Sequence, residues 1–366
     1  MMKSICVLDV KNSEVALANF AQKLLTVLGG RMVLMSDDRP ETRGLAEQLR
    51  DGLVQGGGTV FCMEGGFESR IVSASRLLEA DGAIYLTCDS ACRLSVYGAN
   101  GSPLTNEEEQ QIARATPASP TQTGVAVALS QTDAYLSLAR RIGGSFENVA
   151  ASFASPNASL LRFARQTALA LGLIERNKPR FMISCSGLIA AAEDEQGNVY
   201  PHERLLTLCC ACELADKQPL TVPFSASLTL TELARRNGVA LQRSFAGGGE
   251  PWQTDGVLLV FRLLHHMSKS GRSLSSLFGS FAFPNEKRTV LSFGGSLDRL
   301  ADRIPCEEAV TQTDDLLFIK RKNADAVLTR QKDGRRCCLE VQAFDAETAR
   351  ELCGELERAI LTFSDK

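Results

Sequence analysis

The chain has 366 residues, of which 44% are hydrophobic, 6% aromatic and 23% charged. At about 100–200 residues per domain, this length predicts two to four domains, and the composition excludes disordered, fibrous and collagen-like proteins. Forty basic and forty-three acidic residues leave a formal net charge of -3, so bulk charge predicts neither a nucleic-acid partner nor an anionic membrane partner.

Hydropathy along the chain predicts no membrane segment. No apolar run approaches the ~20 residues that span a bilayer. Near the amino terminus the apolar stretch is interrupted by Asp9, Lys11 and Glu14, which is not the pattern of a signal peptide. We therefore expect a soluble, multi-domain cytoplasmic protein.

Strands and helices alternate over the first 130 residues. Short apolar runs predict strands at 5–10, 31–35, 59–63 and 83–87. Periodic segments predict helices at 13–28, 41–54 and 68–79. This alternation predicts a mostly parallel sheet covered by helices on both faces. Because ligands bind at the carboxyl ends of strands in such sheets, the turns after Met35, Met63 and Thr87 are candidate binding positions.

The rest of the chain predicts two further α/β units and a tail of different character. A Pro- and Thr-rich linker at 116–124 ends the first unit. Strands are predicted at 181–187, 190–200 (as a strand or a hairpin), 219–224, 316–321, 326–331 and 337–344. Helices are predicted at 133–176 (interrupted by a strand and turn at 147–157), 203–215, 229–237, 256–269 and 346–361. Residues 284–288 are expected to be polar connecting chain.

The predicted fold class is α/β, with three α/β/α layered units followed by an α+β domain. The expected domain boundaries are 1–130, 131–197, 198–285 and 286–366.

Twelve cysteines are distributed along the chain. Adjacent pairs at 209–210 and 337–338 do not suit a secreted disulfide framework. Cys88 with Cys92, or the cluster at 209–212, would need further ligands at motif spacing to bind zinc, and the three histidines do not supply them. We expect buried, reduced thiols that pack as small hydrophobic side chains.

Several segments resemble the α-D-phosphohexomutase superfamily, which includes the phosphoglucomutases and phosphomannomutases. In chain order they are 36–60, 81–87, 96–114, 247–278 and 337–353. Asp37, Arg39 and Pro40 stand in the positions of that family's Asp-x-Arg-Pro turn. The resemblance implies four domains around a central cleft and phosphoryl transfer between a phosphoserine and a sugar phosphate, with Mg²⁺ neutralising charge.

The family's phosphoserine loop, Thr-Ala-Ser-His-Asn-Pro, corresponds to residues 87–93. Asp89 occupies the place of the serine, Ser90 follows it, and Ser95 stands where a lysine is expected. Asp89 and Ser90 are therefore the candidate catalytic residues. The alternative is a turn that one of them caps after the strand.

The family's metal loop carries three aspartates, whereas the matching residues 183–190 contain no carboxylate. Magnesium prefers oxygen ligands that include carboxylates, so a site built on Ser186 and carbonyl groups would be weak. Residues 193–195 are acidic but are expected to form a solvated hairpin tip. We therefore expect no metal ligands and no cofactor, although the family implies magnesium.

The sugar-binding loop of the family corresponds to Gly248, Gly249 and Glu250, with Trp252 replacing a serine. Glu250 is a candidate to accept hydrogen bonds from sugar hydroxyl groups, and Trp252 is a candidate to stack on a pyranose. The alternative is a glycine-rich turn with Trp252 packed in the protein.

The family's phosphate loop corresponds to residues 330–336. Arg330 matches its leading arginine, and Lys332, Arg335 and Arg336 are candidates to hold an anion. The alternative is a charged hairpin tip.

These departures predict a pseudoenzyme of carbohydrate metabolism that binds a hexose phosphate or a protein partner. One alternative is an active phosphosugar mutase with a nonstandard site. Another is a ligand-free structural partner of a second enzyme.

Overall fold

The computed structural model describes most of the chain, in two compact units that interleave along the sequence. The described residues are 6–7, 14–37, 39–63, 65–88, 92–117, 123–129, 132–244, 249–306, 308–312, 315–331 and 334–364. One unit comprises Met1–His202 and Pro251–Gly271, and the other comprises Glu203–Glu250 and Arg272–Lys366. No helix among the described residues combines the length and the apolarity that a membrane crossing requires.

A six-stranded sheet organises the first part of the chain, with strand order β1-β5-β4-β2-β3-β6. Its elements are β1 (Cys6–Val7), α1 (Glu14–Leu28), β2 (Arg31–Ser36), α2 (Pro40–Gln55), β3 (Thr59–Met63), α3 (Ser69–Leu77), β4 (Gly82–Cys88), β5 (Cys92–Tyr97), α4 (Asn106–Arg114) and β6 (Val125–Leu129). Strands β4, β2, β3 and β6 are parallel. At one edge β5 pairs antiparallel with β4, and β1 pairs antiparallel with β5.

The two faces of this sheet are covered by different helices. Met32 and Leu34 pack on one face with residues of α1 and α2, whereas Val33 and Met35 pack on the other with residues of α3. Successive side chains of a strand point to opposite faces, so an uninterrupted apolar strand needs cover on both sides. The predicted two-face cover is confirmed.

A four-stranded sheet follows, with order β10-β9-β8-β7. Its elements are α5 (Thr132–Gly143), β7 (Ala150–Ala154), α6 (Ala158–Ala170), β8 (Ile174–Ile183), β9 (Ala190–Glu193) and β10 (Val199–Tyr200). Strands β7 and β8 are parallel, and β9 and β10 form the predicted hairpin.

The segment Glu203–Glu250 carries a small parallel sheet. Its elements are α7 (His202–Ala215), β11 (Leu220–Pro223), α8 (Leu228–Asn237) and β12 (Leu241–Ser244). Only β11 and β12 pair in the described part of this segment. The chain then returns to the first unit as α9 (Gly256–Ser270), whose Phe261 ring lies 5.6 Å from Phe146 and 6.4 Å from Phe153.

The tail is a five-stranded antiparallel sheet with order β13-β17-β16-β15-β14. Its elements are α10 (Leu274–Phe278), β13 (Asn285–Ser292), α11 (Leu297–Ala301), β14 (Glu308–Gln312), β15 (Leu316–Arg321), β16 (Ala324–Arg330), β17 (Arg336–Ala343) and α12 (Ala346–Ser364). Buried residues of α12 pack on one face of this sheet.

The expectation that 284–288 is connecting chain is wrong for 285–288, because these residues begin the edge strand β13. That strand is largely exposed, so its polar side chains carry no burial signal.

Candidate functional site

The Asp-x-Arg-Pro turn fastens the carboxyl end of β2 to that of β4. One carboxylate oxygen of Asp37 accepts from the Thr42 hydroxyl at 2.6 Å, and the other accepts from Thr87 Oγ1 at 2.9 Å and Cys88 N at 3.2 Å. Arg39 donates to the Cys88 carbonyl and lies 3.7 Å from Asp37 Oδ2. The motif residues thus position the strand end that precedes residues 89–91.

A disulfide joins Cys88 to Cys92 across the β4–β5 hairpin, where the two residues are register partners. The two cysteines flank residues 89–91 of the segment that the sequence matches to the family's phosphoserine loop. The candidate catalytic residues Asp89 and Ser90 lie outside the described residues, so their roles stay predictions.

The expectation that all cysteines are buried, reduced thiols is wrong. Besides the disulfide, Cys185 and Cys306 are exposed and Cys62 is half-buried. The cysteines at 209, 210, 212, 337, 338 and 353 are free and buried, as expected. The spacing of Cys88 and Cys92 in the sequence does not by itself predict a disulfide, whereas the hairpin register brings the two thiols together.

The loop at the position of the family's metal site is closed by its own serines. The hydroxyl groups of Ser184 and Ser186 share a hydrogen bond of 2.9 Å. Ser184 Oγ also accepts from Ile189 N at 3.2 Å, and Ser186 Oγ from Leu188 N at 3.3 Å. Both hydroxyl groups are engaged within the loop, and residues 183–190 contain no carboxylate, so this loop does not fit the oxygen donors that Mg²⁺ prefers.

The same loop holds α3 and α9 through its carbonyl groups. Ser69 N donates to Ser186 O at 2.9 Å, and Val257 N donates to Gly187 O at 3.2 Å. Gly187 has a φ of +81°, and a Cβ added there would lie 2.7 Å from Ser69 Oγ. A residue with a side chain therefore does not fit this position without a shift of its neighbours.

Three buried polar side chains, linked by hydrogen bonds, lie beside this loop. Tyr135 OH donates to Asp255 Oδ2 at 2.7 Å and lies 3.3 Å from Ser69 Oγ, and all three residues are buried. The other oxygen of Asp255 caps α9 by accepting from Val257 N and Leu258 N at 2.9 and 3.1 Å. The sequence does not predict this cluster of three side chains, although an aspartate directly before an apolar helix is a capping signal.

Burial sets the protonation of that carboxyl group. Desolvation raises the pKa of Asp255 to about 6, because the hydrogen bonds from Tyr135 and from the backbone of α9 offset only part of the penalty. Burial and the neighbouring carboxylate raise the pKa of Tyr135 well above its usual value. The three side chains of this cluster are buried from solvent, and we assign them a structural role.

Asp194 is buried, which corrects the expectation of a solvated tip at 193–195 for this residue, whereas Glu195 is exposed as expected. The Asp194 carboxylate accepts from Gln196 N at 2.9 Å, from Asn198 N at 2.8 Å and from Tyr200 OH at 3.0 Å. Desolvation raises the pKa of this group, but the hydrogen bonds from Asn198 and Tyr200 outweigh it, and the pKa lies below its usual value. The Asp194 side chain thus stabilises the β9–β10 hairpin through hydrogen bonds within it.

The described part of the sugar loop exposes Glu250 and buries Trp252. Gly249 N donates to Thr221 O at 3.3 Å, which attaches the loop to β11, and Glu250 is exposed. Trp252 lies in a short 3-10 turn and is 3% exposed. The Trp252 ring therefore offers no face to a pyranose in this conformation, and the packed alternative describes it. Gly248 lies outside the described residues.

Arg330 is committed to the backbone of its own hairpin and of the neighbouring loop. Its guanidinium donates to Gly295 O at 2.7 Å, Gly334 O at 3.2 Å and Phe293 O at 3.5 Å. Arg335 and Arg336 are exposed beside the turn at Gly334. Lys332 lies outside the described residues. The leading arginine thus shapes the loop, and the exposed arginines carry its accessible positive charge.

Comparisons with known proteins identify the fold. No family model and no curated protein sequence matches this chain. A phosphoglucomutase/phosphomannomutase family protein from Burkholderia thailandensis is similar in structure, with a TM-score of 0.70 and 15% identity over 98% of this chain and 97% of that one. The chain has the phosphohexomutase fold.

Two further structures agree with that assignment. A protein assigned as a phosphomannomutase from Thermus thermophilus has a TM-score of 0.65 and 16% identity, over 96% of this chain and 97% of that one. The Paramecium phosphoglucomutase parafusin has a TM-score of 0.63 and 11% identity, over 100% and 97%. The phosphohexomutase resemblance seen in the sequence is therefore confirmed as a resemblance in fold. At these identities, the chemistry of the loops has to decide the activity.

Proposed function

We propose that this chain is a phosphohexomutase-fold protein without mutase turnover, which acts in cytoplasmic carbohydrate metabolism by binding a hexose phosphate. One observation carries the proposal. The loop at the metal position contains no carboxylate, and its two serine hydroxyl groups are already engaged by each other and by backbone N–H groups.

Phosphoryl transfer depends on a nucleophile, a cation and a phosphate clamp that act together. The candidate nucleophiles stand in the sequence between Cys88 and Cys92, which a disulfide joins, and the leading arginine of the clamp is bound to carbonyl groups. Groups that act as a unit lose most of their effect when one is removed, so the loss of the cation alone would cost most of the rate.

Binding makes smaller demands than turnover. Glu250 is exposed and can accept hydrogen bonds from sugar hydroxyl groups, and Arg335 and Arg336 are exposed and can attract a phosphate. These groups belong to the unit formed by Glu203–Glu250 and Arg272–Lys366.

The first test is for turnover. The purified chain is incubated with glucose 1-phosphate or mannose 1-phosphate, magnesium and a hexose bisphosphate primer, and the peptide that spans 87–93 is then examined by mass spectrometry. We expect no interconversion of isomers and no phosphorylated peptide. Turnover with a phosphate on Ser90 or Asp89 would establish the active-mutase alternative instead.

The second test is for binding. We expect glucose 1-phosphate to raise the melting temperature, and Glu250→Gln or Arg336→Gln to reduce that gain. The matched controls Glu347→Gln and Arg350→Gln change exposed residues of α12 and should keep the gain. If no hexose phosphate raises the melting temperature while a stoichiometric protein partner is recovered, the proposal is wrong and the partner alternative replaces it.

A further inference from the structure

A pocket of about 420 Å³ opens at the carboxyl ends of β2 and β3. This volume lies within the roughly 300–1,000 Å³ of small-molecule sites. Its polar lining comes from the end of β2, from one face of α2 and from the loop after β3. The residues that matter are Ser36, Arg43, Glu47, Arg50, Cys62 and Gly65. We call it the α2 pocket.

The topology of the first sheet explains why a pocket forms there. The chain leaves β2 through α2, which packs on one face of the sheet, and leaves β3 through α3, which packs on the opposite face. The two connections therefore leave on opposite faces of the sheet, and the pocket lies on the side of α2. The strand order reverses between β2 and β4, so this pocket is beside that point and shares only its position at the carboxyl edge, where ligands bind in open α/β sheets. The turns after Met35 and Met63 are among the positions that the sequence predicts for ligand binding.

The charges on the helix face suit an anion. Arg43 and Arg50 are seven positions apart, so they lie on one face of α2 with Glu47 between them. Arg43 is exposed, and within the described part of the chain its guanidinium has no ion pair or hydrogen bond. Arg50 pairs with Asp51 at 2.8 Å, but both side chains are well exposed, at 39% and 56%. Such a surface pair is weak and can be exchanged for a stronger anion.

We propose that the α2 pocket binds a small phosphate monoester. Arg43 and Arg50 hold the phosphate by charge-assisted hydrogen bonds, and Glu47 accepts from a hydroxyl group of the esterified alcohol. The site belongs to the first unit and uses none of the residues assigned to hexose-phosphate binding under the proposed function, so it stands or falls independently of that function.

The test uses AMP, glucose 1-phosphate and inorganic phosphate as probes, with binding measured by calorimetry on the full chain. We expect the two esters to bind more tightly than inorganic phosphate, which carries no esterified alcohol to donate a hydrogen bond to Glu47. Arg43→Gln and Arg50→Gln should each raise the Kd about tenfold or more. Asp51→Asn should lower the Kd, because it releases Arg50 from its competitor. The control Arg114→Gln, an exposed arginine on α4, should leave the Kd unchanged.

Cys62 reports occupancy of this pocket directly. We expect the bound ester to slow alkylation of Cys62, measured peptide by peptide, while the exposed Cys306 reacts at its usual rate. Burial raises the pKa of the Cys62 thiol, so the reaction is run in alkaline buffer.

The protection of Cys62 should survive Glu250→Gln and Arg336→Gln, which affect only the site of the proposed function. Ester binding that leaves Cys62 unprotected and is insensitive to Arg43→Gln would overturn the inference. So would the absence of binding by any of the three probes to a chain that unfolds cooperatively.

Discussion

Two buried aspartates show how hydrogen-bond donors decide the charge of a carboxyl group. Asp255 and Asp194 are both withdrawn from solvent. Desolvation dominates at Asp255, whose pKa rises to about 6, whereas hydrogen bonds from Asn198 and Tyr200 dominate at Asp194, whose pKa falls. The two groups should therefore affect stability in opposite directions as the pH changes.

We expect Asp255→Asn to remove a pH dependence of stability. The folded state binds the Asp255 proton more tightly than the unfolded state, in which the carboxyl group has its ordinary pKa of about 3.9. The parent protein should therefore lose about 3 kcal/mol relative to the variant as the pH rises from about 4 to about 7. Asparagine can still cap α9, so the variant should fold.

Urea unfolding across this pH range measures the difference between parent and variant. Asp194→Asn is the matched control, because its cost should be greatest at neutral pH and shrink as the pH falls. A difference between parent and Asp255→Asn that stays constant with pH would contradict the assignment.

Arg330→Lys should reduce the free energy of unfolding by about 1–2 kcal/mol without any ligand present. A lysine cannot reach the three carbonyl groups that the guanidinium satisfies. Arg336→Lys, at an exposed position of the same hairpin, should have little effect. Equal stability of the two variants in chemical denaturation would show that Arg330 is not a structural residue.

At the scale of elements, the loop of residues 183–190 connects two helices by hydrogen bonds. Its carbonyl groups accept from the first turns of α3 and α9, and Gly187 leaves no space for a side chain. A loop that carried ligands would need its polar atoms free for an ion, whereas this one uses them to hold helices.

Gly187→Ala should therefore cost about 2 kcal/mol or more, since it combines a strained positive φ with a contact on Ser69. Gly30→Ala is the matched control, because its φ is not positive and a Cβ there meets nothing within 4 Å. The measurement is the free energy of unfolding in urea. A cost at Gly187 no larger than at Gly30 would show that the loop adapts freely.

At the scale of the whole molecule, each of the two units is built from two separate segments of the chain. The first unit takes α9 from residues that follow the Glu203–Glu250 segment, so its core is completed only after the chain has passed through the second unit. The described loops of neither unit assemble a cluster of carboxylates at the position of the family's metal site.

We accordingly expect millimolar magnesium to leave the melting temperature unchanged, and EDTA to have no effect on it. Ligands that bind the native state raise its stability by mass action, so a bound ion would be visible as a shift. Calcium serves as the control for a general effect of divalent charge. A rise specific to magnesium would contradict the loss of the metal site.

Much of the fold could be predicted from the sequence. The two-face packing of β2 follows from an uninterrupted apolar run, and the β9–β10 hairpin follows from a polar turn between apolar flanks. Strand β13 could not be predicted in this way, because an exposed edge strand lacks the apolar pattern that burial imposes on the sequence.

For the candidate site, the sequence predicted only which of the family's side chains are absent. The lack of carboxylates in 183–190 is a property of the sequence itself and requires no structure. The polar contacts that the structure shows near these segments are decided by residues far apart in the chain. Ser69, Tyr135 and Asp255 meet through three different helices, and Cys88 meets Cys92 through strand register.

Composition and local pattern thus determined the class of fold and the lack of carboxylates in residues 183–190, because both depend on residue type and short spacing. Only the tertiary structure decided which polar groups are buried, paired or left facing a pocket. Burial and hydrogen bonding are properties of neighbours in space, and folding brings those neighbours from distant parts of the chain.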